Sequence, residues 1–338
     1  MDEKGVIVNR VKFDQTGLEV TPIGLGLAAL GRPGYINLGH AADLKHEYDV
    51  AAMESHAHSV LDTAWESGIR YYDAARSYGL AESFLSSWLR GRAIQPAEVV
   101  VGSKWGYTYT AGWQIDAEKH EVKAHSLPVL QRQIAESLDL LGEYLDIYQI
   151  HSATLDSGVL DNKDVLGALG ELRDNGIVIG LSLSGPQQDK TLRKAMKVEI
   201  GGKPLFSSVQ ATWNLLSREA TQALTEAHEA GMGVIIKEAL ANGRLTARNT
   251  AIDFASKRKV LEELAAELGT TIDGIALAAV LARPWVDIVL SGAARSDHLL
   301  SNIGALNLAW NDDLEQRVSG LVEPAEQYWA TRSDLEWN

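Results

Sequence analysis

Apolar positions follow two rhythms along this chain. Eight short runs rich in Val, Ile and Leu recur: VTPIGLG (20–26), IRYYDA (69–74), EVVVGSK (98–104), LDIYQIH (145–151), GIVIGLSLS (176–184), FSSVQATW (206–213), GVIIKEA (233–239) and VDIVLSGA (286–293). Runs of this length and composition, bounded by polar and turn residues, predict strands. Between them apolar residues return every third or fourth position. Leu127, Leu130, Ile134, Leu138 and Leu141 do so behind Ser126, a candidate N-cap, and Val260, Leu261, Leu264, Ala265 and Leu268 repeat the pattern. That spacing puts one apolar stripe on a helix. Further helices are predicted at 51–67, 79–91, 164–174, 218–230 and 297–305.

Strand alternating with helix implies parallel pairing through crossover connections. Several of the strands carry no polar alternation, as expected when both faces are buried. Eight such units in one chain suit a closed (β/α)8 TIM barrel, a single domain over 1–338. The stretch GVIVNRVKFDQTGLEV (5–20) reads as a short N-terminal hairpin closed near Gly17, placed to cap the barrel bottom. A long polar loop, 31–50, follows the first strand, and a C-terminal loop, 323–338, carries two tryptophans outside any predicted element.

Composition narrows the function. Asp and Glu outnumber Lys and Arg by 45 to 31, a net charge of −14, which repels phosphate backbones and argues against a nucleic-acid partner. No cysteine is present, which removes disulfides, thiolate catalysis and cysteine metal sites. His56 and His58 point to different sides of a helix, so no metal site is expected. The N-terminus has no long apolar core and no run is long enough to span a bilayer. The expectation is a cytoplasmic protein with a small-molecule substrate and no membrane partner.

In a barrel of this kind, active groups stand where strands end and βα loops begin. The polar residues at those places are Asp73 and Tyr78, Lys104, His151, Ser182, Gln210, Lys237 and Ser291. Four of them form a chemical set. A phenol titrates near pH 10, and an ammonium within hydrogen-bond reach is expected to lower that value. Lys104 would play this part for Tyr78, with Asp73 holding Lys104 in place. His151 would donate to a carbonyl oxygen and position it against the phenol. No side chain delivers a hydride, so this chemistry requires a nicotinamide cofactor.

The motifs GLG (24–26), DAARSYG (73–79), GSK (102–104), DIYQIH (146–151), GLSLSG (180–185), VQATWNLL (209–216) and SGAARSDHLLSNIGAL (291–306) resemble the aldo-keto reductase family, in order and over almost the whole chain. The resemblance implies a catalytic set of Asp73, Tyr78, Lys104 and His151. It also implies reduction of aldehydes or ketones, or the reverse, with NADP(H), NAD(H) being the less expected cofactor. By the same resemblance Gly26, Leu27 and Ala28 approach the nicotinamide ribose, Ser182 and Gln210 bind the carboxamide, and Asn302 lies near adenine. Lys237 stands where many relatives place an aromatic ring under the nicotinamide. Gly292 and Ala293 replace a Lys-Ser pair near the 2′-phosphate, and the family's later arginine falls on His298, so Arg295 is the expected phosphate reader.

Rival readings differ in class. Lys104 beside an acid and a tyrosine also suits a Schiff-base aldolase. A redox-sensing regulatory subunit would keep the cofactor site while serving a partner protein. A Rossmann reading of Gly24, Gly26 and Ala29 lacks the following strand that would end in an acid. Trp105, Tyr107, Tyr109 and Trp113 suggest an aromatic-walled pocket, with 31–50, 105–125 and 323–338 as the loops that shape it.

Overall fold

Eight parallel strands close on themselves in a computed structural model that describes residues 8–338. They are β1 (Ile23–Gly26), β2 (Tyr71–Asp73), β3 (Val100–Trp105), β4 (Leu145–Ala153), β5 (Val178–Leu183), β6 (Ser208–Thr212), β7 (Gly233–Lys237) and β8 (Ile288–Ser291). Each pairs with its sequence neighbour, and β8 pairs with β1, so the barrel has no edge. Six fall inside the predicted runs, while β3 runs one residue past its run and β4 two. Their residues are almost wholly buried because helices cover the outer face and side chains fill the inner one.

The helices are α1 (Val50–Glu66), α2 (Ala81–Gly91), α3 (Leu127–Leu141), α4 (Lys163–Asp174), α5 (Gln188–Ala195), α6 (Thr221–Glu229), α7 (Ala255–Leu268), α8 (Ile272–Leu281), α9 (Ser296–Gly304), α10 (Asp312–Val318) and α11 (Ala325–Ser333). Those with a clear apolar stripe match the sequence reading. Ser126 does precede α3, but its side chain makes no capping hydrogen bond. Asp49 caps α1 instead, accepting from Ala51 and Ala52 N–H at 3.0 Å each. Four of these helices escaped the periodicity, as did a single helical turn, His40–Asp43, inside the loop expected over 31–50. In α8, IDGIALAAVL, eight of the residues are buried, so no polar face marks the period. In α5, QDKTLRKA, too few apolar residues occur to set one. The last two are α10, before the tail, and α11, which corrects the expectation of an irregular C-terminal loop over 323–338. Pro324 stands at the N-cap of α11, which anchors the tail through buried Tyr328 and Trp329.

At the bottom, Val11–Lys12 pairs antiparallel with Glu19–Val20 and the connection turns through Gly17 at φ 80°. Residues 5–7 of the expected hairpin lie outside the described residues. The hairpin's Phe13 ring plugs the barrel: a Cβ on Gly233, the first residue of β7, would meet it at 2.3 Å. No single helix among the described residues is long and apolar enough to cross a membrane.

Candidate active site

At the opposite end, β2 stops at Asp73 and the chain turns sharply. Gly79 takes φ 60°, and a Cβ there would meet the Gly31 carbonyl oxygen at 2.4 Å. Only glycine lets the loop after β1 cross so closely, and Leu80 N–H donates to that same carbonyl at 2.7 Å. This crossing turns Tyr78 toward the barrel axis.

Lys104, in β3, is fully buried and has three partners for its three N–H groups. It forms an ion pair with Asp73, donates to the Ala74 carbonyl at 2.9 Å and stands 3.4 Å from Tyr78 Oη. Asp73 also accepts from Gln210 Nε2 at 2.9 Å. His151, near the end of β4, meets the Tyr78 ring edge-on, centroids 5.4 Å apart, and the Tyr107 ring at 5.0 Å. Its backbone carbonyl accepts from His125 Nε2 at 2.8 Å. The acid, phenol, amine and imidazole named from sequence thus come together at one mouth.

The phenol's pKa moves opposite to the sequence expectation. Burial and then the Asp73 carboxylate push Tyr78 well above 10, against a smaller pull from Arg32. Lys104 does not reverse this because Asp73 neutralises it at closer range. Burial and the cations Lys104, Lys237 and Arg32 hold His151 well below 6.5. At neutral pH the site therefore presents a protonated phenol and a neutral imidazole, both able to donate to an oxygen.

These groups line a cavity of about 340 Å³. Its wall comes from all three expected loops: Arg32, Tyr35 and Ile36, then Tyr107 and Glu121, then Arg332, Leu335 and Trp337. Of the four aromatic residues expected to wall it, only Tyr107 does. Trp105 points into the core at 0% exposure, and Trp113 packs on Phe84 and reaches the Tyr48 carbonyl. Trp337 supplies the missing surface, stacked on His120 at 3.9 Å and with the Arg32 guanidinium 4.8 Å from its ring centroid. Trp213 lies elsewhere, against Trp285.

A second cleft of about 430 Å³ shares Tyr35, Glu238, Leu290 and Gly292 with the cavity and runs between the β7 and β8 loops. Small residues keep its floor open, and a Cβ on Gly292 would touch nothing within 4 Å. Asn302 lines it and donates to Ser291 Oγ at 2.8 Å, leaving its amide oxygen for a ligand. Gly26, Ala28, Gln210 and Lys237 line the adjoining cavity. Leu27 does not; its side chain is core, and its N–H donates to the Asp73 carbonyl at 2.8 Å. Ser182 is buried with its hydroxyl accepting from Ser152 N–H at 2.8 Å. Arg295 stands outside the cleft wall, its side chain 41% exposed and paired with Asp297 at 2.7 Å. The guanidinium that faces the cleft is Arg248, tied to Asp43 and to the Leu38 carbonyl at 3.0 Å. His298 also lines it, 3.9 Å from Asp43. Arg248 lies beyond the last residue of β7 in a loop with no periodic signal, so strand-end reasoning passed over it.

Sequence reasoning also missed Arg32, Glu238 and Arg332. Glu238 was signalled by its place directly after Lys237 at the end of an apolar strand. It takes φ 56°, and Ser152 directly after His151 takes φ 52°. Left-handed backbone at non-glycine residues costs roughly 1–3 kcal/mol each and persists where surrounding contacts enforce it.

A closed parallel barrel with this site at its C-terminal mouth defines a TIM-barrel oxidoreductase, and the comparisons agree. The model of the aldo/keto reductase family matches residues 22–323, and the chain belongs to that family. It is 25% identical over 319 residues to the uncharacterized oxidoreductase YqkF of Bacillus subtilis, covering 88% of this chain and 90% of that protein. It is 26% identical to norsolorinic acid reductase of Aspergillus flavus, covering 90% of this chain and 78% of the relative. The aldo-keto reductase AKR11C1 of Bacillus halodurans, solved in its holo form, superposes with a TM-score of 0.72 at 22% identity, covering 95% of this chain and 99% of that one.

Proposed function

We propose that this oxidoreductase reduces aldehyde or ketone carbonyls, or oxidises the corresponding alcohols, with NADP(H) and with Tyr78 as general acid or base. One observation carries the reading. Tyr78 Oη lies 3.4 Å from a lysine clamped by Asp73, with His151 edge-on to its ring, at the wall of a closed-in cavity. A nicotinamide held at this mouth would supply the hydride that no side chain here can. The cleft suits a dinucleotide: it joins the cavity, its floor is built of small residues, and Asn302 and Arg248 present polar groups along it.

The chain's own residues do the rest. His151 and Tyr78 hold the carbonyl oxygen between them. The proton on Tyr78 stays in place until charge develops on that oxygen, since its high pKa prevents early loss. Lys104, held in place by Asp73, then stabilises the phenolate left behind. In the reverse direction the same phenolate accepts the alcohol proton. The cofactor's 2′-phosphate falls to Arg248 as the guanidinium facing the cleft.

The aldolase reading needs a free, accessible amine at Lys104. All three of its N–H groups are engaged and none of its surface is exposed. A panel of aldehydes, ketones and alcohols, followed at the nicotinamide absorbance with NADPH and NADH, tests the proposal. Consumption of NADPH with carbonyl substrates is expected, and borohydride treatment with substrate leaves Lys104 unlabelled. Labelled Lys104, or no cofactor consumption across the panel, overturns it.

A further inference from the structure

The charges around the cavity pair off with one left over. Six charged side chains line it, three acids and three cations: Asp73, Glu121 and Glu238 against Arg32, Lys237 and Arg332. Asp73 is taken by Lys104 beneath the floor. Glu121 is taken by Arg32 at 3.0 Å. Glu238 accepts from Arg332 Nε with both carboxylate oxygens, at 2.9 and 3.0 Å, and is held down to a pKa of about 2, where that guanidinium and Lys237 outweigh its burial. Lys237 remains.

Its ammonium donates one hydrogen bond, to Thr212 Oγ1 at 2.9 Å, and stays 3.6 Å from the Glu238 carboxylate that Arg332 already occupies. Two of its three N–H groups have no hydrogen-bond partner among the described residues. The side chain is only 16% exposed, so bulk water does little to satisfy them. Burial, against an opposing pull from Glu238 and with Arg332 and Lys104 nearby, brings its pKa down to about 8, and Lys237 in turn helps to depress His151. A positive potential of that kind disfavours cations and favours an anion beside the carbonyl-binding residues.

From this geometry we infer that Lys237 is a substrate-anion subsite and that the preferred substrates are carbonyl compounds bearing a carboxylate. The inference rests on the carbonyl-reductase reading given above. A monoanion matches the single unspent charge. A phosphate ester would bring close to two negative charges to a site whose guanidiniums are already committed. The apolar walls, Tyr35, Ile36, Tyr107 and Trp337, fit the body of an aryl or alkyl acid rather than a sugar.

The test sets the ortho, meta and para isomers of carboxybenzaldehyde against their methyl esters, in wild type, Lys237→Met and Lys237→Arg. In wild type, kcat/KM for at least one acid should exceed that for its ester by about tenfold or more, the scale of one charge-assisted contact in a shielded site. Lys237→Met should bring that ratio to about one, and Lys237→Arg should keep a preference for the acid. Reduction of the esters by wild type with no acid preference overturns the subsite and leaves the reductase reading standing. No turnover of acids or esters with either cofactor removes both. If Lys237→Met keeps the wild-type ratio but weakens NADPH binding, measured by tryptophan fluorescence titration, the ammonium serves the cofactor and the inference fails.

Discussion

At the mouth of the barrel, buried ionisable side chains face one another across a cavity; at the bottom, apolar side chains fill the same cross-section. The strands are shared. Tyr71 and Asp73 belong to one strand, yet Tyr71 joins Phe13, Ile147, Ile235 and Ile288 in the lower plug, while Asp73 enters the ion pair with Lys104. Their contact, 3.5 Å between the phenol and the carboxylate, is where the two layers meet. The bottom gains stability from dispersion and the exclusion of water. The mouth gives some of that up, because each buried charge has lost its hydration and is compensated only by its partner. What the contrast teaches is that function and stability occupy opposite ends of the same strands, so that damage to one end should leave the other intact.

The largest expected effect is at the mouth. Tyr78→Phe should lower kcat by about 10²–10⁴, the usual contribution of general acid catalysis. Its thermal midpoint should stay close to wild type, because the hydroxyl is not part of the core packing. A variant with near-normal turnover would break the comparison at its functional end. The converse substitution is Phe13→Ala, which empties the plug over Gly233. It should cost about 3–5 kcal/mol of stability in chemical denaturation while kcat of the folded enzyme is kept. A loss of activity in step with Tyr78→Phe would mean that the two ends are coupled.

Next in size is the cleft proposed for the cofactor. Arg248→Ala should raise the Kd for NADPH by about tenfold with little change for NADH, since a guanidinium on the 2′-phosphate contributes roughly 1.5–3 kcal/mol and part of that is already spent on Asp43. Arg295→Ala, paired with Asp297 outside the cleft wall, should change neither. Fluorescence titration with both cofactors separates the two arginines, and the reverse pattern would return the phosphate to Arg295.

The smallest effect belongs to the bottom. Asp146 accepts from Val101 N–H at 2.9 Å, and burial raises its pKa to about 6. A carboxyl whose folded pKa lies above its unfolded value favours folding while protonated, so its contribution is present at pH 4 and lost as pH rises through 6. Asp146→Asn should therefore match wild type near pH 4 and exceed it near pH 8 by about 1 kcal/mol, reduced by partial solvation. Urea midpoints at the two pH values read this directly, and a variant equally shifted at both would show that the effect is not protonic.

Much of this molecule was legible along the chain. The eight strands were visible because a strand buried on both faces must be apolar throughout, and their ends could be read because polarity returns where the barrel opens. That rule marked eight polar residues, and the chemistry of an acid, phenol, amine and imidazole singled out Asp73, Tyr78, Lys104 and His151 among them. What remained hidden depends on more than one element at a time. Helix α8 has no polar face for periodicity to detect, because its neighbours bury it on nearly every side. Trp105 and Tyr107 are two residues apart in sequence, and only the path of the following hairpin, Tyr107–Tyr109 against Glu121–Lys123, sends one into the core and the other into the cavity. The direction of the Tyr78 shift depends first on how deeply the phenol is buried and then on the Asp73 carboxylate nearby, and chain separation encodes neither. The same holds for the choice between Arg248 and Arg295, and for the unspent charge on Lys237. Local pattern determined where the candidate chemistry stands on the chain; tertiary packing alone decided which charges meet.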